Sequence, residues 1–304
     1  MRGRKNLPLA FDPVPDGAPL TFDLLAQAYL EDYALQRYRT MTTARARVEH
    51  LREFFGGWAV EAVTADAVRR YQLHRRTQGA EAATTNRETS ALSRMFQLAM
   101  RREQLARMPL FPTRLEENPP REGFFEHAEY LKVRALLPMS FQDVLDFAYY
   151  SGWRRNEILG LTWEEVDLNG GVIRLPPQRS KTRTGRVLPI SPPLQLVLTR
   201  RRRRQKARDP LVFRRDGVPV RVWRHALRDA CQKAGVPHRL LHDCRRTAAR
   251  NLIRAGVPER IAMLLTGHKT RAVFDRYNIV NEQELLTAGE RLAAYVAKSG
   301  ITVL

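Results

Sequence analysis

The chain has 304 residues, 43% hydrophobic and 28% charged, an ordinary globular balance that excludes a low-complexity or disordered protein. Its 52 lysines and arginines against 32 aspartates and glutamates leave a net charge of +20, which points to a polyanionic partner. No window of 18 apolar residues occurs, prolines interrupt the amino terminus before a signal-peptide core forms, and two cysteines outside any C-x-x-C pair support neither a disulfide framework nor structural zinc. A protein of a reducing cytoplasm, not of a membrane, is expected.

Residues 1–20 read as a tail, and residues 21–107 as a bundle of four helices. Phe22, Leu25 and Tyr29 share one helical face, Val48, Leu51 and Phe55 repeat the spacing, and Gly56-Gly57 marks a stop. Thr64 is placed to cap a third helix, and Thr85-Asn-Arg-Glu88 has the form of a capping box opening a fourth that buries Leu92, Met95, Phe96 and Ala99. From Met108 to Pro120 four prolines resist helix, so residues 108–125 read as an extended linker.

The remainder mixes helix with a little strand. Helices fit 126–137, 141–150, a segment starting near Arg155, 192–206, 222–234, 242–255, 258–265 and 282–297, while 171–175 and 186–190 read as strands. Charge is not spread evenly along the chain. Residues 1–110 hold 17 basic and 12 acidic residues, whereas Arg174 to Arg215 hold 14 basic residues against Asp209 alone. A uniform arginine drift would not concentrate charge in this way, and the run Arg200, Arg201, Arg202, Arg203 and Arg204 reads as a phosphate-contacting stretch.

Several residues could act on a phosphate. Arg154 stands at the start of a helix with Glu157 one turn on, where a carboxylate can orient a guanidinium. His242 and Arg245 stand at i and i+3, a protonatable imidazole beside a bidentate donor. Lys181 is one of 7 lysines among 52 basic residues; unlike arginine, a lysine can release a proton at working pH. Gly267-His268 follows, and Tyr277 comes nine residues after that histidine. Singly, each has a plainer reading: a solvated arginine or lysine, a hydrogen-bonded structural histidine, a core tyrosine. No P-loop motif and no tight carboxylate cluster is present, so ATP hydrolysis and two-metal cleavage are not expected.

Together, in chain order, Arg154, Lys181, His242-x-x-Arg245, Gly-His268 and Tyr277 resemble the signature of the tyrosine recombinase (phage integrase) family. The likeness is close over 126–280; residues 21–107 are similar to that family's helical, SAM-like core-binding domain. Departures are peripheral: Trp153 and Cys244 replace more usual aliphatics, and Arg246 stands where a histidine is common. The short interval from Arg245 to His268 has no room for the extra helix of integron integrases.

The resemblance implies a mainly α fold with a small β-sheet, arranged as a C-shaped DNA clamp of bundle and α+β catalytic domain. It implies Tyr277 as nucleophile, Arg154, Arg245 and His268 around the phosphate, Lys181 and His242 as proton carriers, Glu157 in support, and no cofactor or metal. Its partners would be double-stranded DNA with paired inverted half-sites and three further copies of the chain, docked through a carboxy-terminal helix at 281–304. A type IB topoisomerase-like enzyme and a catalytically idle DNA-binding protein of the same fold are the competing readings.

Overall fold

The computed structural model describes residues 19–38, 40–119, 123–180, 184–205, 209–215, 218–220, 224–274 and 282–298. They form two compact units, residues 1–120 and 121–304. The first holds α1 (Phe22–Leu35), α2 (Met41–Phe55), α3 (Ala65–Thr77) and α4 (Ala82–Arg101). Phe22, Leu25 and Tyr29 of α1 meet Val48, Leu51 and Phe55 of α2, Tyr71 of α3 and Leu92, Met95 and Phe96 of α4 in one core. Each such side chain contributes roughly 1.5–3 kcal/mol by leaving water, enough to hold helices this short. The Thr64 hydroxyl accepts from the Ala67 amide at 3.2 Å, the expected cap.

Two local expectations change. The fourth helix starts at Ala82, with Glu81 at its N-cap, so Thr85 and Glu88 lie in its interior rather than forming a capping box. Ala82 and Ala83 are strong helix formers and carry the helix a turn upstream. Glu88 turns inward instead, onto Tyr71 and Arg75. The proline-rich stretch expected as a spacer is largely docked: Met108 and Phe111 pack on the bundle core, and Leu115 exchanges two hydrogen bonds with the Asn86 side chain at 2.8 and 2.9 Å. At the far end of that stretch Phe125 is fully buried in the second unit, its amide donating to the Thr247 hydroxyl at 2.8 Å.

The second unit runs α5 (His127–Ala135), α6 (Met139–Ser151), α7 (Arg155–Leu159), β1 (Val166–Asp167), β2 (Val172–Leu175), β3 (Arg186–Pro189), α8 (Pro192–Arg203), β4 (Arg214–Arg215), β5 (Val218–Pro219), α9 (Arg224–Lys233), α10 (Leu241–Arg254), α11 (Glu259–Thr266), α12 (Arg271–Phe274) and α13 (Glu282–Lys298). Helix α6 is central, packed against both α8 and α10 and buried along most of its length. The sheet is antiparallel in the order β1-β2-β3, with Arg186 opposite Leu175. Strands β1, β4 and β5 span two residues each, too short for an alternating pattern to announce them.

Helix α13 is the exception to this packing. Leu285, Leu286, Leu292 and Tyr295 are all more than half exposed, so its apolar stripe is not buried on its own unit. Among the described residues no helix is long and apolar enough to cross a membrane.

Candidate active site

The site is assembled where α6, α10 and α11 end or begin. Helix α6 stops at Gly152, whose φ of 62° lies in the left-handed region. A Cβ there would come within 2.9 Å of the Ala248 Cβ, so glycine is demanded by both conformation and space. Trp153 then enters the core and Arg154 becomes the N-cap of α7. The Glu157 carboxylate accepts from the Arg154 amide at 2.9 Å and from its guanidinium at 3.1 Å, so one turn of helix aims the arginine.

A second glycine builds the opposite wall. Helix α11 ends at Gly267, with φ 72°, where an added Cβ would collide with Nη1 of Arg186. The last carbonyls of α11 lack intrahelical partners and carry the negative end of its dipole. Guanidiniums fill that need. Arg154 donates to Gly267 O at 3.0 Å, Arg186 donates to Thr266 O at 2.7 Å, and Arg245 donates to Thr266 O as well. Arg245, on the second turn of α10 and 1% exposed, also donates to Gly152 O at 2.9 Å. The two glycine turns and the arginines therefore lock one another.

His268 follows directly, 8% exposed and edge-on to Phe274 at 5.5 Å between ring centres. The Thr266 hydroxyl donates to Ala262 O at 2.7 Å and lies 2.7 Å from Nδ1 of His268. Burial, then the charges of Arg245 and Arg154, push the imidazole pKa down to about 3, so in the free protein it is neutral. His242, on the first turn of α10, is exposed, while its neighbours Leu241, Asp243 and Cys244 are buried. Crowding by the surrounding protein and the nearby Arg245 and Arg246 lower its pKa too.

Burial alone would raise the Glu157 pKa, but Arg186, the Arg154 amide and the Arg154 charge outweigh it and hold the carboxylate ionised. Arg186 is not among the residues that the sequence motifs single out. The sequence does not announce it, since Val187 and Leu188 are both apolar; in the structure Leu188 is buried and Val187 exposed, which turns Arg186 to the inner face, where a charge needs a reason.

Lys181 and Tyr277 lie outside the described residues. On the near side of Lys181, Arg179 donates to Glu157 O at 2.9 Å and pairs with Glu165, tying the first half of the β2–β3 connection to α7. The arginine run is not the uniform phosphate surface expected of it. Arg200 pairs with Asp143 at 2.8 Å and Asp146 at 3.2 Å, while Arg201, 7% exposed, donates to Val212 O at 3.0 Å. Both serve to neutralise aspartates buried on α6. Arg202 lies over the Trp163 ring at 5.0 Å, and Arg203 and Arg204 are left exposed.

The chain is similar to known proteins in sequence and in fold. Tyrosine recombinase XerC of Mycobacterium tuberculosis is 26% identical over 297 residues, 87% of this chain and 98% of its own length. Tyrosine recombinase XerD of Ralstonia nicotianae is 26% identical over 229 residues, 68% of this chain and 72% of that one. In fold, the chain is similar to a lambda integrase tetramer bound to a Holliday junction, with TM-score 0.74, 16% identity and coverage of 86% and 78%. The Tn1549 transposon integrase in complex with transposon right end DNA gives 0.74 at 17% identity, covering 90% and 100%. Residues 26–103 match the phage integrase N-terminal SAM-like domain. Residues 124–284, more than half of the chain and the stretch that holds all six candidate catalytic residues, match the phage integrase family, and the protein belongs to that family of tyrosine recombinases.

Proposed function

We propose that this enzyme of site-specific DNA recombination cuts a strand with Tyr277. Its phenolic oxygen attacks the scissile phosphorus, the bond to the 5′-oxygen breaks, and a 3′-phosphotyrosyl link forms. His242 takes the phenolic proton and Lys181 supplies one to the departing 5′-oxygen. Arg154 and Arg245 neutralise the non-bridging oxygens of the pentacoordinate transition state. A phosphate anion beside His268 opposes the burial and the arginine charges that keep it neutral, which favours a protonated imidazole that donates to the same oxygens. The link conserves the phosphodiester bond energy, and rejoining runs the step backwards with the 5′-hydroxyl of another strand. Neither a nucleotide nor a metal ion takes part.

The observation that carries this reading is the gathering of Arg154, Arg186 and Arg245 at the end of α11, with Glu157 as the carboxylate that two of them touch. Such an excess of fixed positive charge fits a phosphate better than any neutral ligand. The substrate we propose is a duplex with paired inverted half-sites, held by four copies of the chain in the bacterial cytoplasm. The exposed leucines of α13 support the assembly, since a second copy of the chain would bury them.

A nicked duplex that loses its 5′-hydroxyl fragment on cleavage tests the chemistry. Wild-type protein should give a covalent adduct on a denaturing gel, and Tyr277→Phe should bind the same DNA and give none. Undiminished adduct from the variant would remove Tyr277 as nucleophile. No adduct from the wild type would favour an idle DNA-binding protein, and plasmid relaxation without strand exchange a topoisomerase-like enzyme.

A further inference from the structure

We infer that Arg186 is a positioning residue for strand cleavage, a clamp that joins the β2–β3 hairpin to the phosphate-facing turns. This rests on the reaction proposed above. Arg186 opens β3, and its guanidinium makes two contacts in opposite directions. Nη2 donates to Oε2 of Glu157 at 2.5 Å, and Nη1 donates to Thr266 O at 2.7 Å. The Glu157 oxygen it grips is the one that accepts the Arg154 amide, while the other Glu157 oxygen accepts from the Arg154 side chain. Thr266 O also receives Arg245. One side chain thus touches the anchors of both arginines proposed to hold the phosphate.

Its surroundings fit a fixed part. The side chain is 6% exposed, its guanidinium lies 5.1 Å from the centre of the Trp153 ring, and the missing side chain of Gly267 leaves the space it fills. A planar fork that donates along two directions is something lysine cannot reproduce. With 6% of its side chain exposed, Arg186 would act through the turns it braces and not on the substrate itself. It also begins the strand that follows Lys181, so the hairpin bearing the proposed acid and the wall bearing Arg154, Arg245 and His268 share one tie. Misplacement by about 1 Å can cost about 10²-fold in rate, which is the scale on which such a tie matters.

The test measures DNA affinity and single-turnover cleavage separately on the nicked duplex. Arg186→Met should bind DNA within a few-fold of wild type and form the adduct about 10- to 100-fold more slowly, the span expected for contacting residues. Arg186→Lys keeps a charge beside Glu157 without the fork and should fall between the two. In a Glu157→Gln background, Arg186→Met should cost much less than it does alone, because part of its action passes through that carboxylate. A purely structural arginine would lower thermal stability without this split or this coupling. Should Arg186→Met fail to fold, Arg186→Lys decides: wild-type cleavage by that variant overturns the inference. Wild-type cleavage by a folded Arg186→Met does the same while leaving the Tyr277 mechanism standing. Absence of adduct from the unmutated protein overturns both.

Discussion

Each unit buries a glutamate among basic side chains, and the two clusters close their charge differently. In the bundle, Glu88 accepts from Tyr71 at 2.8 Å, from Arg75 at 2.9 and 3.1 Å, and lies 2.7 Å from Nδ1 of His50. Burial works against its ionisation, but Arg75, Tyr71 and His50 together hold the carboxyl below its ordinary range. One buried carboxylate answers one buried guanidinium, and the network is complete in itself. Around Glu157 the sum does not close. Arg186 and Arg154 both pair with it, and Arg245 shares the Thr266 carbonyl with Arg186. A closed cluster holds helices together; here two guanidiniums share one carboxylate and all three also donate to backbone carbonyls of the glycine turns, the feature on which the proposed phosphate site rests.

The sharpest way to break this contrast is to remove each glutamate. Glu88→Ala leaves Arg75, 8% exposed, without its carboxylate and should cost about 3–5 kcal/mol in denaturant unfolding. At a temperature where the variant is folded, cleavage of bound DNA should stay near wild type. Glu157→Ala should do the opposite in proportion, depressing cleavage well beyond its effect on DNA affinity. Equal catalytic loss from both would mean that the bundle cluster also serves the reaction.

Legibility in the sequence follows the same divide between local and distant causes. The helical stripes, the Thr64 cap, and the motifs Arg154-x-x-Glu157, His242-x-x-Arg245 and Gly267-His268 are set by neighbours within one or two turns, and the structure holds these residues as the spacing implies. Arg186 depends on Glu157 and Thr266, 29 and 80 residues away, and no local pattern names either partner. Glu88 has the spacing of a capping residue, but its true partners, at separations of 13, 17 and 38 residues, come from two other helices. Pairings of that range become visible only once the chain has folded.

The histidines sharpen the comparison through pH. His50 faces a carboxylate, whereas His268 faces Arg245, Arg154 and Arg186. An unfolded histidine titrates near 6.5, and burial with those arginines takes His268 down to about 3. As pH falls below about 6.5, protons bind the unfolded chain first, so this group makes folding less favourable down to about pH 3. Between pH 6.5 and 5 the loss should be about 1.5–2 kcal/mol, a window that lies above the range of the depressed carboxylates. His242 is shifted in the same direction and adds to the slope. His268→Gln should remove much of the fall in unfolding free energy across that window. An unchanged slope in the variant would show that His268 protonates freely in the folded state, and that the arginine excess is screened from it.

The smallest effect concerns the arginine run, where the same distinction divides neighbours on one helix. Five consecutive arginines point around most of the circumference of α8, so some must face inward. The inward ones meet Asp143, 0% exposed, and Asp146, 4% exposed, which need countercharge because both are buried on α6. Arg203 and Arg204 face solvent and have no such duty in the fold. Replacing both by alanine should weaken binding to every DNA sequence alike and flatten the plot of log affinity against log salt by up to about 0.9 for each phosphate no longer neutralised. Arg200→Ala should instead lower the unfolding temperature, with a salt slope close to wild type. The measurement is DNA affinity at several salt concentrations beside a thermal melt of each variant. If Arg200→Ala flattens the slope as much as the outer pair and leaves the melt unchanged, the run acts as one phosphate surface, and its ion pairs with α6 are dispensable to the fold.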